Sequence, residues 1–195
     1  MTGARVDAPS PETLGDDQRQ LYERIVGGPR GDGPFALIEE DGSLTGPFSL
    51  MLLAPAVGAA LSSLGEAIRY RSTLDDRIRE IAILTVAAHR RDAYEWYAHE
   101  RVGRRMGMSD GELDALRTAD HQVWADPVER TAHRAALDIL AGRTLDDDAY
   151  AAARGAFGTE GLVEFVTLVG YYDTLSLLMG VFRIGAPRGE PDPFM

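Results

Sequence analysis

Apolar residues recur along most of the chain at three- and four-residue spacing, the period of a helix with one buried face. Leu14, Leu21 and Ile25 mark such a stripe between Glu12 and Val26, which the Gly/Pro-rich run GGPRGDGP at 27–34 brings to a stop. LTGPFSLMLLAP reads as a short helical or irregular segment, and from Pro55 a helix carries Val57, Leu61, Leu64 and Ile68 on one face. Asp75 is placed to cap a helix striped by Ile78, Ile81, Ala82, Thr85 and Ala88; a second begins at 90–92 and runs to Met106, with Gly107 as its stop. Ser109 with Glu112 is a capping-box signal for a helix through Arg117. Further helices are expected over Pro127–Ala141, Asp146–Phe157 and Gly161–Ile184. Strand-like alternation is missing, so the expected fold is all-α: one domain over 1–195 with roughly eight helices. Residues 1–11 and 186–195 are expected to be flexible tails, or the latter to lie over a neighbouring subunit.

The two helices on either side of residue 91 are joined by a turn of two or three residues and should form an antiparallel hairpin. Counting back from the turn at 1.5 Å per residue, Glu80 lies roughly 15 Å away and His99 roughly 12 Å, so the two can face each other. Asp92, Glu95 and His99 share one face of the second helix by their i, i+3, i+7 spacing. Glu80 sits among Ile78, Ile81 and Ile83, where a carboxylate needs a partner. Glu95, near Asp92 and Trp96, is placed to have a raised pKa and to serve as a general acid. The ordinary reading of a Glu and His four residues apart is a surface pair worth about 0.2–0.5 kcal/mol. Asp92 has a similarly plain alternative as a helix cap.

Composition narrows the chemistry. The chain of 195 residues carries a formal charge of −11, which disfavours nucleic acid and anionic membrane surfaces and leaves a small molecule or another copy of the chain as partners. It contains no Cys and no Lys, so thiolate and Schiff-base catalysis are excluded. Proton transfer falls to Asp, Glu, Tyr and the four histidines His89, His99, His121 and His133. No N-terminal basic region precedes an apolar run, and FSLMLLAPAVGAALSSLG is broken by Pro55 and Gly58, so a cytoplasmic protein is expected. GDGPFA carries a proline and follows a helix, which is the wrong context for a dinucleotide loop. Neither HExxH nor a pair of Glu-x-x-His motifs occurs, so no metal is expected.

Ser72–Leu116, with GPFSLMLLAPAVGAAL upstream and LVGYYDTLSLLMGVF downstream, resembles the carboxymuconolactone decarboxylase family, which also contains the AhpD-like alkylhydroperoxidase reductases. The resemblance implies an AhpD-like all-helical fold, a homotrimer or hexamer, and a site on the helical hairpin. In the thiol branch a Glu, two Cys separated by two residues and a His fall on Glu80, Asp92, Glu95 and His99. Both cysteines are replaced here, which removes the redox chemistry. What remains is similar to the decarboxylase branch, in which Glu and His act without a cofactor on a lactone acid. Glu80, Glu95 and His99 are then the catalytic set. Asp92 would contact the substrate, and Phe48, Met51, Leu52, Trp96 and Tyr171 would form an apolar wall. No arginine is singled out for a substrate carboxylate; Arg77 and Arg183 are candidates. Isomerase, dehydratase or lactone hydrolase chemistry, or a non-catalytic oligomeric binding protein, are the alternatives.

Overall fold

The computed structural model describes residues 3–120 and 122–195, so His121 lies outside the described residues. Among these the structure has eight α-helices and no strand; an isolated antiparallel bridge pairs Ile38 with Leu44. The helices are α1 Asp16–Val26, α2 Gly46–Leu53, α3 Pro55–Tyr70, α4 Asp76–Arg90, α5 Ala93–Arg105, α6 Asp110–Thr118, α7 Pro127–Gly142 and α8 Asp147–Phe182.

Their ends follow local side-chain chemistry. Asp75 accepts from the Arg77 amide, Asp126 from Val128 and Asp146 from Ala149, each satisfying an orphan donor of the first turn. Ser109 and Glu112 form the expected capping box of α6. Arg91 takes a left-handed conformation at φ 53° and ends α4, and α5 starts two residues later. This short turn returns α5 along α4.

The centre of the fold is α4. Every residue from Glu80 to Ala87 is buried, and α5, α6, α7 and α8 all pack against this helix. A helix buried all round supplies a rigid platform, and it obliges the carboxylate of Glu80 to find partners inside the protein.

Two expectations about the other helices are corrected. In α3 the inward residues are Gly58, Ser62, Gly65 and Ile68, while Val57 and Leu64 are exposed. Small residues face inward because neighbours approach too closely for anything larger. A Cβ on Gly58 would stand 2.2 Å from the Met51 carbonyl oxygen, and one on Gly65 2.3 Å from Tyr171 Oη. The helices expected over 146–157 and 161–184 form one run, broken at Gly158, whose φ of 70° and ψ of 179° suit glycine alone. By length and composition α8 could cross a membrane; here one side, including Phe165, Leu168, Tyr172 and Met179, is core.

The terminal segments lie against the chain's own body. The Arg5 amide donates to Phe182 O at 2.9 Å. The C-terminal segment crosses the outer side of α5, where Phe194 meets Trp96 edge-on at 5.5 Å and Glu190 pairs with Arg101 at 2.9 Å.

Candidate active site

The α4–α5 hairpin brings Glu80, Glu95 and His99 together, all with side chains about 4% exposed. His99 Nδ1 lies 2.6 Å from Glu80 Oε2, and His99 Nε2 lies 3.4 Å from Glu95 Oε2. An ionised Glu80 can only accept, so the hydrogen of the neutral ring is assigned to Nδ1, leaving the Nε2 lone pair toward Glu95. The 3.4 Å contact is longer than a well-formed hydrogen bond and is of the kind that tightens when a ligand is bound.

Arg69 of α3 completes the cluster. Its Nη1 stands 3.1 Å from His99 Nε2 and donates to Tyr172 Oη at 3.3 Å, while Nη2 is 3.8 Å from Glu80 Oε1. Tyr172 lies edge-on to His99 with ring centroids 5.2 Å apart. Sequence reasoning missed Arg69, because the inward side of α3 is set by glycines rather than by its apolar stripe. Arg77, weighed as a carboxylate binder, instead joins Glu129 and Glu112 at the far end of α4. Arg183 ends α8 in a left-handed conformation.

The environment separates the protonation states. Burial, then the nearby Asp92 charge, pushes the Glu95 carboxyl well above the usual carboxylate range; Glu80 adds to this and Arg69 opposes it. Burial also lowers His99, assisted by Arg69 and opposed by Glu80. For Glu80 burial acts upward, but the hydrogen-bonded imidazole and Arg69 together hold it below its ordinary value. The environment thus favours an ionised Glu80 and a neutral His99 and holds the proton on Glu95 beyond the usual carboxylate range, beside a permanently charged arginine. Two carboxyls pushed in opposite directions around one imidazole can move a proton.

A cavity opens at this cluster, lined by Glu95, His99 and Arg69 and by Arg30, Phe35, Pro47, Phe48, Tyr94, Ala98, Tyr171, Tyr172 and Leu175. Its volume is about 30 Å³, space for one or two water molecules. Of the lining residues Phe35 and Arg69 are partly exposed and the others are buried. Arg30 is buried, held by Ser62 and Glu66, with its guanidinium 5.4 Å from the Phe48 ring.

Among the residues expected in the apolar wall, Phe48 and Tyr171 line the cavity. Met51, Leu52 and Trp96 do not. Met51 and Leu52 are core residues of α2, 2% and 0% exposed, and Met51 carries the backbone on which Gly58 rests. Trp96 points outward along α5, donating to Glu100 at 2.8 Å beneath Phe194. Asp92 is likewise no part of the lining; its Oδ1 accepts from the Tyr94 and Glu95 amides as the cap of α5. Among the described residues no three His, Asp or Glu side chains converge as metal ligands.

Residues 55–138, which include α3, the hairpin and the catalytic candidates, match the carboxymuconolactone decarboxylase family. Over this segment the chain is similar to that family. Solved structures extend the likeness to the whole fold. An AhpD-core, peroxidase-related protein from Ralstonia eutropha aligns at TM-score 0.75 and 16% identity, over 96% of this chain and 94% of that one. A putative antioxidant defence protein AhpD from Agrobacterium tumefaciens aligns at 0.64 and 19%, over 71% and 95%. The debrominase Bmp8, solved as a cysteine-to-alanine variant with 2,3,4-tribromopyrrole, aligns at 0.66 and 12%, over 96% and 92%. No curated protein matches the sequence. The carboxymuconolactone decarboxylase segment thus sits within an AhpD-like all-α fold that has no cysteine at all.

Proposed function

We propose that the protein is a cofactor-independent proton-transfer enzyme that decarboxylates a small carboxylated lactone or related keto acid. The observation that carries this reading is the buried array Glu80–His99–Glu95, in which an acid and a base are held on the two nitrogens of one imidazole. The likeness of residues 55–138 to the decarboxylase family and the absence of Cys support it over thiol peroxidase chemistry. The ring ligand of the debrominase, a protein of the same fold, supports a substrate of ring size.

In this reading the carbon–carboxylate bond breaks and its electron pair moves into the substrate's conjugated carbonyl, with Arg69 beside the oxygen that gains charge. Glu95 gives its proton to the carbon left behind, and carbon dioxide leaves. Glu95 then recovers a proton from solvent through His99 Nε2, while Glu80 stabilises the imidazolium that forms in passing. One proton is consumed for each carbon dioxide released. Isomerisation would use the same groups without loss of carbon.

The test is a screen of carboxylated lactones and keto acids in deuterated buffer, followed by mass spectrometry and proton NMR, with His99→Ala as control. Loss of carbon dioxide only with the wild type supports the decarboxylase; deuterium uptake without mass loss of carbon identifies an isomerase. Neither signal from any substrate would refute proton-transfer catalysis and leave the fold as a binding module.

Self-association is part of the same proposal. Val163, Val166, Leu177 and Val181 form an exposed apolar stripe along α8, each at least 44% accessible, which supports packing against a second copy. Light scattering showing a monomer would refute it.

A further inference from the structure

Asp92 uses its two carboxyl oxygens differently. Oδ1 caps α5, accepting from Tyr94 N at 3.0 Å and Glu95 N at 3.1 Å. Oδ2 is buried without a well-formed hydrogen bond, and so is the hydroxyl of its neighbour Ser176 on α8. A cap needs one acceptor, and Ser, Thr or Asn would provide it without burying a charge. Asp92 is only 7% exposed, so the second oxygen is a cost that capping does not explain. It stands one helical turn from Glu95, on the same side of α5.

We propose that Asp92 is a positioning residue that acts through Glu95, holding the proton on the Glu95 carboxyl until substrate arrives and so setting the pH range in which the site works. This rests on the acid role of Glu95 given above. Two carboxyls in one dry site cannot both ionise easily. Burial raises the Asp92 carboxyl too, but its two amide hydrogen bonds oppose that rise and favour the charged form, whereas the Glu95 carboxyl, raised further by burial, faces an imidazole lone pair and keeps the proton. Glu95 interacts with His99, Asp92 and Tyr94 from α5, Glu80 from α4, Arg69 from α3, and Tyr171 and Tyr172 from α8. Arg69 pulls Glu95 toward ionisation, the three tyrosines are held neutral by burial, and Glu80 is already engaged by His99. Asp92 is the acid whose removal leaves the array of Glu80, His99 and Arg69 intact.

The experiment is an infrared titration of carboxyl bands on the full chain for wild type, Glu95→Gln, Asp92→Asn and Ser176→Ala; it requires no substrate. The wild type should show a protonated carboxyl near neutral pH that Glu95→Gln removes. Asp92→Asn retains the cap and should move that titration down by about one to two pH units. Ser176→Ala removes a donor that favours ionised Asp92 and should move it the same way by less. An unchanged Glu95 titration in Asp92→Asn overturns the proposal. If Asp92→Asn fails to fold, an unchanged titration in Ser176→Ala overturns it. A wild type with no protonated carboxyl at neutral pH refutes instead the acid role of Glu95, so the two failures are distinct.

Discussion

Glu95→Gln should make the protein more stable at neutral pH, by an amount that depends on pH in a defined way. Glutamine has the shape of a protonated glutamic acid and can still donate toward His99 Nε2, so the perturbation removes ionisation and little else. In the unfolded chain Glu95 titrates near its ordinary value of 4.5, whereas in the fold it is raised well above that by burial and by Asp92. A raised acid contributes its full stability below the unfolded value and loses it as pH climbs toward the folded one. Between the two, folding the wild type takes up one proton, and one proton corresponds to about 1.4 kcal/mol of stability per pH unit. Glu95→Gln takes up none. Urea unfolding at several pH values should therefore find the variants nearly equal around pH 4. The advantage of Glu95→Gln should then grow by about 1.4 kcal/mol per pH unit and level off at the pH where folded Glu95 ionises. The contributions of His99 and Glu80 are largely common to both proteins and drop out of the difference. A gap independent of pH, or a wild type that gains on the variant as pH rises, would refute the assignment of a protonated Glu95.

Glu80→Gln should cost about 1.5–3 kcal/mol, the worth of a hydrogen bond to a charged group. Because Glu80 is lowered from its ordinary 4.5, that loss is present above this value and fades as pH falls through the folded one; chemical denaturation at pH 7 and at pH 3.5 checks the sign. The same variant frees the imidazole to adopt its other tautomer, and turnover on any substrate found should fall by about 10²–10⁴; a rate within threefold of wild type would exclude an orienting role. Gly46→Ala should destabilise by about 2–5 kcal/mol in a thermal melt, since Gly46 has φ +55° and a Cβ would stand 2.2 Å from the Tyr94 ring. Tyr94 cannot yield freely because Thr45 Oγ1 holds its hydroxyl at 2.9 Å.

The hairpin was legible because it depends on local signals. Helix rise and a two-residue turn fix which residues stand opposite, and the contact of Glu80 with His99 follows from counting. Arg69 was not legible, since its place depends on how closely α3 approaches α8, which Gly65 and Tyr171 decide between them. Val57 and Leu64 misled for the same reason: they lie on the outer face of α3, and its glycines, with Ser62 and Ile68, form the inner one. Trp96 was assigned to the cavity wall on size and neighbourhood, but its indole N–H needs an acceptor and finds Glu100 one turn along the outer face. The C-terminal segment, expected to be loose or to lie over a neighbouring subunit, meets that indole through Phe194, a contact across half the chain and invisible to local patterning.

The small size of the cavity shifts the question from affinity to time. A space of about 30 Å³ holds no ring-sized molecule unless the side chains that line it rearrange, so binding of a ring would wait on that rearrangement. Association rates should then saturate with ligand concentration. A solvent isotope effect on the proton transfer would be masked under steady-state conditions and emerge when enzyme and ligand are mixed for a single turnover.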